Sequence, residues 1–174
     1  MNFRHALLFS LLLFLTGLFI GCGCPNTPEE KVDAAGKAMD DGNYDKAHEL
    51  YQEILSWKGE GEVSGSLRFQ ATLESCKCLA YLERYEEAVA DFKMMEKSFE
   101  KEMGVPTAAK YALQLGRVFE VKVAPVDPIV DLLQYAGEKY PDKKKDFGGL
   151  VKAIEAGRDL TDEEKDKFKG LGYL

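Results

Sequence analysis

Apolar residues crowd the start of the chain and then thin into a helical stripe. From Ala6 to Ile20 the run is almost unbroken Leu, Phe and Ala, behind the basic Arg4. As a helix it spans about 22 Å at roughly 1.5 Å per residue, short of the ~30 Å hydrocarbon core. A short apolar run behind a positive start and ending at small residues predicts a secretory signal over 1–21. From 22 to 30 there is no apolar periodicity, and the Pro, Asn and Thr there predict a short tether. Past Lys31 the period becomes helical. Val32, Ala35, Ala38 and Met39 fall on one stripe, Asp40-Asp41-Gly42-Asn43 breaks it, and Tyr44, Ala47, Leu50, Tyr51 and Ile54 resume it.

The pattern then recurs. Ala71 to Tyr81 is helical, Leu82-Glu83-Arg84 turns, and Tyr85, Ala88, Phe92 and Met95 repeat Tyr44, Ala47, Tyr51 and Ile54 at an offset of 41. Self-similarity at a fixed spacing is the mark of stacked repeats. Gly42-Asn43-Tyr44-Asp45-Lys46-Ala47 and Glu83-Arg84-Tyr85-Glu86-Glu87-Ala88 resemble the turn and second-helix start of tetratricopeptide repeats. By that resemblance Ala35 and Cys76 are the small residues of the first helices. Leu115-Gly116 with Phe119 resembles the first helix of a third unit, its second helix running from Ile129 to Tyr140. Two features depart from the family: the period exceeds its usual ~34 residues, and 121–128 is a longer connection with two prolines. The expectation is an all-α chain: a short α-solenoid of antiparallel helix pairs over 31–141, with a C-terminal helical cap over 142–174.

Within that cap, Leu150, Val151 and Ile154 share one side of a helix over 147–156. Thr161 followed by Asp162-Glu163-Glu164 predicts an N-cap with acidic residues in the first turn, and Gly170 a stop. The tail Leu171-Gly172-Tyr173-Leu174 is expected to cover the last repeat, since a solenoid must close its end; the competing reading is a peptide that docks on a partner. The run Lys143-Lys144-Lys145 is expected to be a solvated face, with a lipid-headgroup contact as the alternative.

Phe19-Ile20-Gly21-Cys22 resembles the lipobox of bacterial lipoproteins, with Phe19 where that family prefers Leu. The resemblance implies cleavage before Cys22, diacylation of its thiol and anchoring by two or three acyl chains, enough for stable attachment. Gly23 in place of an Asp implies the outer membrane, on its periplasmic face. An ordinary signal peptide with Cys22 as a bystander is the alternative.

Charge narrows the partners. The chain carries a formal −7, and removing residues 1–21 takes away only the charge of Arg4. An acidic domain without clustered Lys and Arg is a poor match for a phosphate backbone, so nucleic acid is not expected.

Chemistry is sparse. Beyond residue 21 the chain holds one histidine, His48, expected at a helix surface or groove edge. It has no second His with which to share a metal and no nucleophile in a strained turn. No enzymatic activity, metal or cofactor is expected. Cysteines come as Cys22-Gly23-Cys24 and Cys76-Lys77-Cys78. Residues two apart on a helix diverge by about 200°, so Cys76 is expected in the core and Cys78 partly exposed. A periplasmic thiol- or metal-handling protein using these pairs is the alternative to a binding role.

Binding is the principal expectation. Tetratricopeptide solenoids hold a partner segment along a face lined by first helices. The resemblance puts Gln70, Glu74, Lys77 and Tyr81 in one row and Lys110, Gln114 and Arg117 in the next, each at the spacing of one helix face. Lys77, Lys110 and Arg117 would then form one site for an acidic segment or a carboxylate; a solvated polar face is the bland alternative. A lipid-anchored repeat protein resembles the repeat lipoprotein of the outer-membrane β-barrel assembly machinery and the secretion-system pilotins. The implied role is an envelope scaffold for a partner protein.

Overall fold

Each helix pair is closed by the same turn. The computed structural model describes residues 27–59 and 62–172, with the backbone alone over 99–106. The expected signal peptide, Cys22, Cys24, most of the tether, Glu60, Tyr173 and Leu174 lie outside the described residues. Among those described there is no strand: the order is α1 (Pro28–Asp40), α2 (Tyr44–Leu55), α3 (Gly65–Tyr81), α4 (Tyr85–Val121), α5 (Val126–Lys139), a 3-10 turn (Pro141–Lys143), α6 (Lys144–Gly157) and α7 (Asp162–Gly170). None of these helices is long and apolar enough to cross a membrane.

At the ends of α1, α3 and α4, Gly42, Glu83 and Val123 each take a left-handed φ, at 74°, 63° and 53°. The hydrogen bonds repeat with them. Asn43 N–H donates to Ala38 C=O, Arg84 N–H to Leu79 C=O and Ala124 N–H to Phe119 C=O, at 2.8, 2.9 and 2.9 Å. Such a cap satisfies carbonyls the helix leaves open and reverses the chain. Turns this short force successive helices antiparallel.

Packing follows the same register. Tyr44, Tyr85 and Val126 open the second helices. Ala47, Ala88 and Ile129 lie one turn in, then Tyr51, Phe92 and Leu133, then Ile54, Met95 and Ala136, all buried. Small Ala35, Cys76 and Gly116 hold the equivalent buried place on the first helices. The fold is all-α, a short solenoid of helix pairs, and the third unit belongs to it.

The joint between the second and third units differs from expectation. No connector separates their helices, because α4 runs continuously over 37 residues. Yet the rings of Tyr85 and Phe119 meet edge-on at 5.4 Å, whereas a straight helix would hold them about 50 Å apart. The helix therefore doubles back between its first arm (85–98) and its second (107–121). The stretch between the arms contains Gly104 and Pro106, residue types that weaken and break helical hydrogen bonding. Phe69 of α3 meets Tyr111 of the second arm at 5.0 Å, so first helices lie side by side. The expected long connection over 121–128 is short instead. Pro125 is the N-cap of α5 and Pro128 lies in its first turn, where a missing N–H does no harm.

Helix ends also correct the boundaries. α1 begins at Pro28, inside the expected tether, because Thr27 and Glu30 form a reciprocal capping box. Thr161 and Glu164 form the same box at α7. That helix includes Gly170, and the left-handed residue past its end is Gly172. The cap is welded on by Phe168, fully buried, and by Leu150 lying against Gly116.

Two clusters make up the core. One joins α1, α2 and the loop residue Val63 to Ala71 and Cys78 of α3; the larger takes Leu73, Cys76 and Leu79 from α3 and runs through the cap. Helix α3 is thus apolar on both sides, as an inner helix must be.

Candidate functional site

Open grooves flank the first helices. Between α1 and α3 runs a groove of about 590 Å³, with Tyr51 of α2 in its lining and Asp33, Asp40, Gln70 and Glu74 around it. Between the second arm of α4 and the start of α6 runs another of about 370 Å³, with Leu113 and Ala109 beside Lys110, Gln114, Arg117 and Lys143. A further groove of about 620 Å³ lies on the cap, between α5 and α7.

The two expected rows therefore face different grooves. Gln70 and Glu74 line the first, and Lys110, Gln114 and Arg117 the second. Lys77 and Tyr81 line neither of the two. Lys77 Nζ is bound to Glu74 at 2.7 Å, half-buried, and Tyr81 is stacked on Tyr44 at 4.4 Å with the rings 7° from parallel. Of Lys77, Lys110 and Arg117, the second groove brings together Lys110 and Arg117, not Lys77. Lys143 takes the place of Lys77, brought to Lys110 and Arg117 by the turn before α6. Arg117 also holds Glu120 at 2.6 Å on the exposed surface, a pair that contributes little there.

The grooves are opposite in sign. Three carboxylates and one cation, Lys37, line the first; three cations and one carboxylate, Asp146, line the second. Asp33, Asp40 and Lys143 were not legible as groove residues. In the sequence Tyr51 falls on the apolar stripe of α2 and Lys143 in a solvated run.

His48 is not a free surface residue. Its Nδ1 shares a hydrogen bond with Ser75 Oγ at 2.9 Å, and Gln52 Nε2 donates to the same hydroxyl at 3.0 Å. Ser75 is 1% exposed in the middle of α3, so its hydroxyl is out of reach of a substrate. The trio satisfies a buried hydroxyl and ties α2 to α3. Burial lowers the His48 pKa, and the Arg84 charge lowers it further, against the smaller opposing pull of Asp91, Ser75 and Glu87. Burial in turn raises that of Asp91.

Cys78 corrects a second expectation. It is as fully buried as Cys76, because α3 has a neighbour on each side. Its Sγ lies 3.1 Å from Met39 Sδ. Burial pushes the Cys78 thiol up to about 12 and the Cys76 thiol up as well. The thiolate is the reactive and metal-binding form, and both thiols are held away from it. Among the described residues no three His, Cys, Asp or Glu side chains converge on a point where a metal would sit.

Comparison of the chain with protein families, curated proteins and solved structures gives no match.

Proposed function

We propose that this protein is a lipid-anchored interaction scaffold of the bacterial cell envelope, holding a partner protein in the grooves along its first helices. The observation that carries the proposal is the placement of two oppositely charged grooves against first helices, one between α1 and α3 and one between the second arm of α4 and the cap, each with apolar side chains and a charged rim. Concave surfaces with an apolar lining and a few convergent polar groups are where ligands bind. The recurrence of one turn at Gly42, Glu83 and Val123 supports the tetratricopeptide resemblance. The lipobox resemblance at Cys22 supplies the anchor and, through Gly23, an outer-membrane address on the periplasmic side. No cofactor enters this role.

The second groove suits an acidic partner segment. Changing Lys110, Arg117 and Lys143 together to Glu is expected to abolish partner capture while circular dichroism stays helical. The matched control changes Lys58, Lys145 and Lys152, exposed residues outside all three grooves. Capture should weaken with added salt, since exposed charges are screened over about 8–10 Å at physiological ionic strength. Loss of capture in the control but not in the groove variant would overturn the assignment. For the anchor, Cys22→Ser should leave uncleaved precursor and release any cleaved protein from the membrane fraction. An unmodified Cys22 inside a soluble mature chain, seen by mass spectrometry, would exclude lipidation.

A further inference from the structure

Tyr51 is 3% exposed, yet it lines the groove between α1 and α3. Its phenol has no hydrogen-bond partner among the described residues. The ring is buried while the residue lines the groove, and a phenol oxygen there can both donate to and accept from a polar head that enters. Its neighbours define what would complete it. Glu74 already holds Lys77, while Asp33 and Asp40 carry no ion pair among the described residues. Val32 and Met39 give the groove an apolar wall, and Met39 is backed by Cys78. The groove is open over Gly36, where a Cβ would meet nothing within 4 Å.

We propose that the groove between α1 and α3 seats a lysine or arginine side chain of the partner. The aliphatic stem lies along Val32 and Met39, the cationic head sits between Asp33 and Asp40, and the Tyr51 oxygen accepts a hydrogen bond from it. Long cationic side chains bury their stems and keep their heads among polar groups. Charge-assisted bonds to carboxylates are the stronger class. An anionic head would meet Asp33 and Asp40, with Lys37 the one cation in the lining and Glu74 already paired. Burial, then Glu74, Cys78 and Asp40, raise the phenol's pKa, so Tyr51 adds no negative charge of its own. The proposal rests on the scaffold reading and gives its first groove a ligand class.

The test uses the ¹⁵N-labelled full chain in detergent, titrated with the peptides acetyl-Ala-Ala-X-Ala-Ala-amide in which X is Arg, Lys, Gln or Glu. The Arg and Lys peptides should shift the amide signals around Asp33, Asp40, Tyr51 and Glu74 and bind about tenfold tighter than the Gln peptide. The double variant Asp33→Asn, Asp40→Asn should bring the Arg peptide down to the Gln level. Tyr51→Phe should weaken it several-fold with the rest of the spectrum unchanged. Equal binding of the Arg and Gln peptides, or Arg binding that survives the double variant, would overturn the proposal. If the Arg peptide fails while the Glu peptide shifts Lys110, Arg117 and Lys143, the cation site falls and the scaffold stands. If no peptide shifts either groove, both fall.

Discussion

A methyl group on Gly116 would lie 2.4 Å from Cδ2 of Leu150. Gly116 is on the second arm of α4 and Leu150 is on α6, fully buried, so this contact sets how closely the cap approaches the third unit. Ala35 and Cys76 hold the matching place in the first two units with small side chains. In the third, a methyl would force the buried Leu150 to shift.

Gly116→Ala is expected to destabilise the protein by roughly 1–3 kcal/mol, because overpacking in a filled core outweighs the better helix propensity of Ala. Gly149→Ala is the counterpart. It lies on α6 with open space where its Cβ would go, and should gain about 0.5–1 kcal/mol. Urea unfolding midpoints of the two variants should move in opposite directions; a shared direction would mean that the cap does not press on Gly116.

The repeated turn predicts a stabilising change. Val123 is β-branched, 63% exposed and held at a φ of 53°, a region that disfavours such residues. Val123→Gly should raise stability by about 1 kcal/mol, and Gly42→Val should lower it. A thermal midpoint that falls for Val123→Gly would show that the left-handed cap is absent there.

His48 gives a pH signature. Its folded pKa is lowered from 6.5, first by burial. Above 6.5 both folded and unfolded states are neutral at this site. Below 6.5 the unfolded chain binds the proton first, so this contribution to stability falls with pH until the lower folded value is passed. Asp91, with its pKa raised from 3.8 by burial, acts with the opposite sign in a window that opens at 3.8. His48→Gln should flatten the pH dependence just below 6.5. An unchanged slope would place the titrating group elsewhere.

The buried thiols predict silence. In the native protein, Cys76 and Cys78 should resist maleimide for as long as the fold holds, and both should react once urea unfolds it. Native-state labelling of Cys78 would revive the thiol-handling alternative.

Much of the fold was legible because its signals are local. The offset of 41 between Tyr44 and Tyr85 follows from one turn geometry used twice, and the small residues at 35, 76 and 116 follow from close helix contact. The fused α4 was not legible. Only the meeting of Tyr85 with Phe119 shows a helix folded onto itself. The burial of Cys78 was missed for a related reason, since helical periodicity marks one apolar face and α3 is covered on two. In the grooves, Lys110, Gln114 and Arg117 share a helix face and so were found together. Lys143 joins them only through the turn between α5 and α6, a long-range placement that spacing along the chain does not encode. Tyr51 has the pattern of a core aromatic and gives no separate sign that its oxygen lies unpaired.

The scaffold role is tested most directly by site-specific photocrosslinking in living cells. A benzoylphenylalanine would be placed in turn at Gln70 and Gln114 in the two grooves, and at exposed Glu49 and Lys97 outside them. The account predicts a discrete protein adduct from Gln70 and Gln114, absent from Glu49 and Lys97, with the Gln114 adduct lost when Lys110, Arg117 and Lys143 are changed to Glu. Adducts of equal strength from all four positions, or none from the grooves, would contradict it.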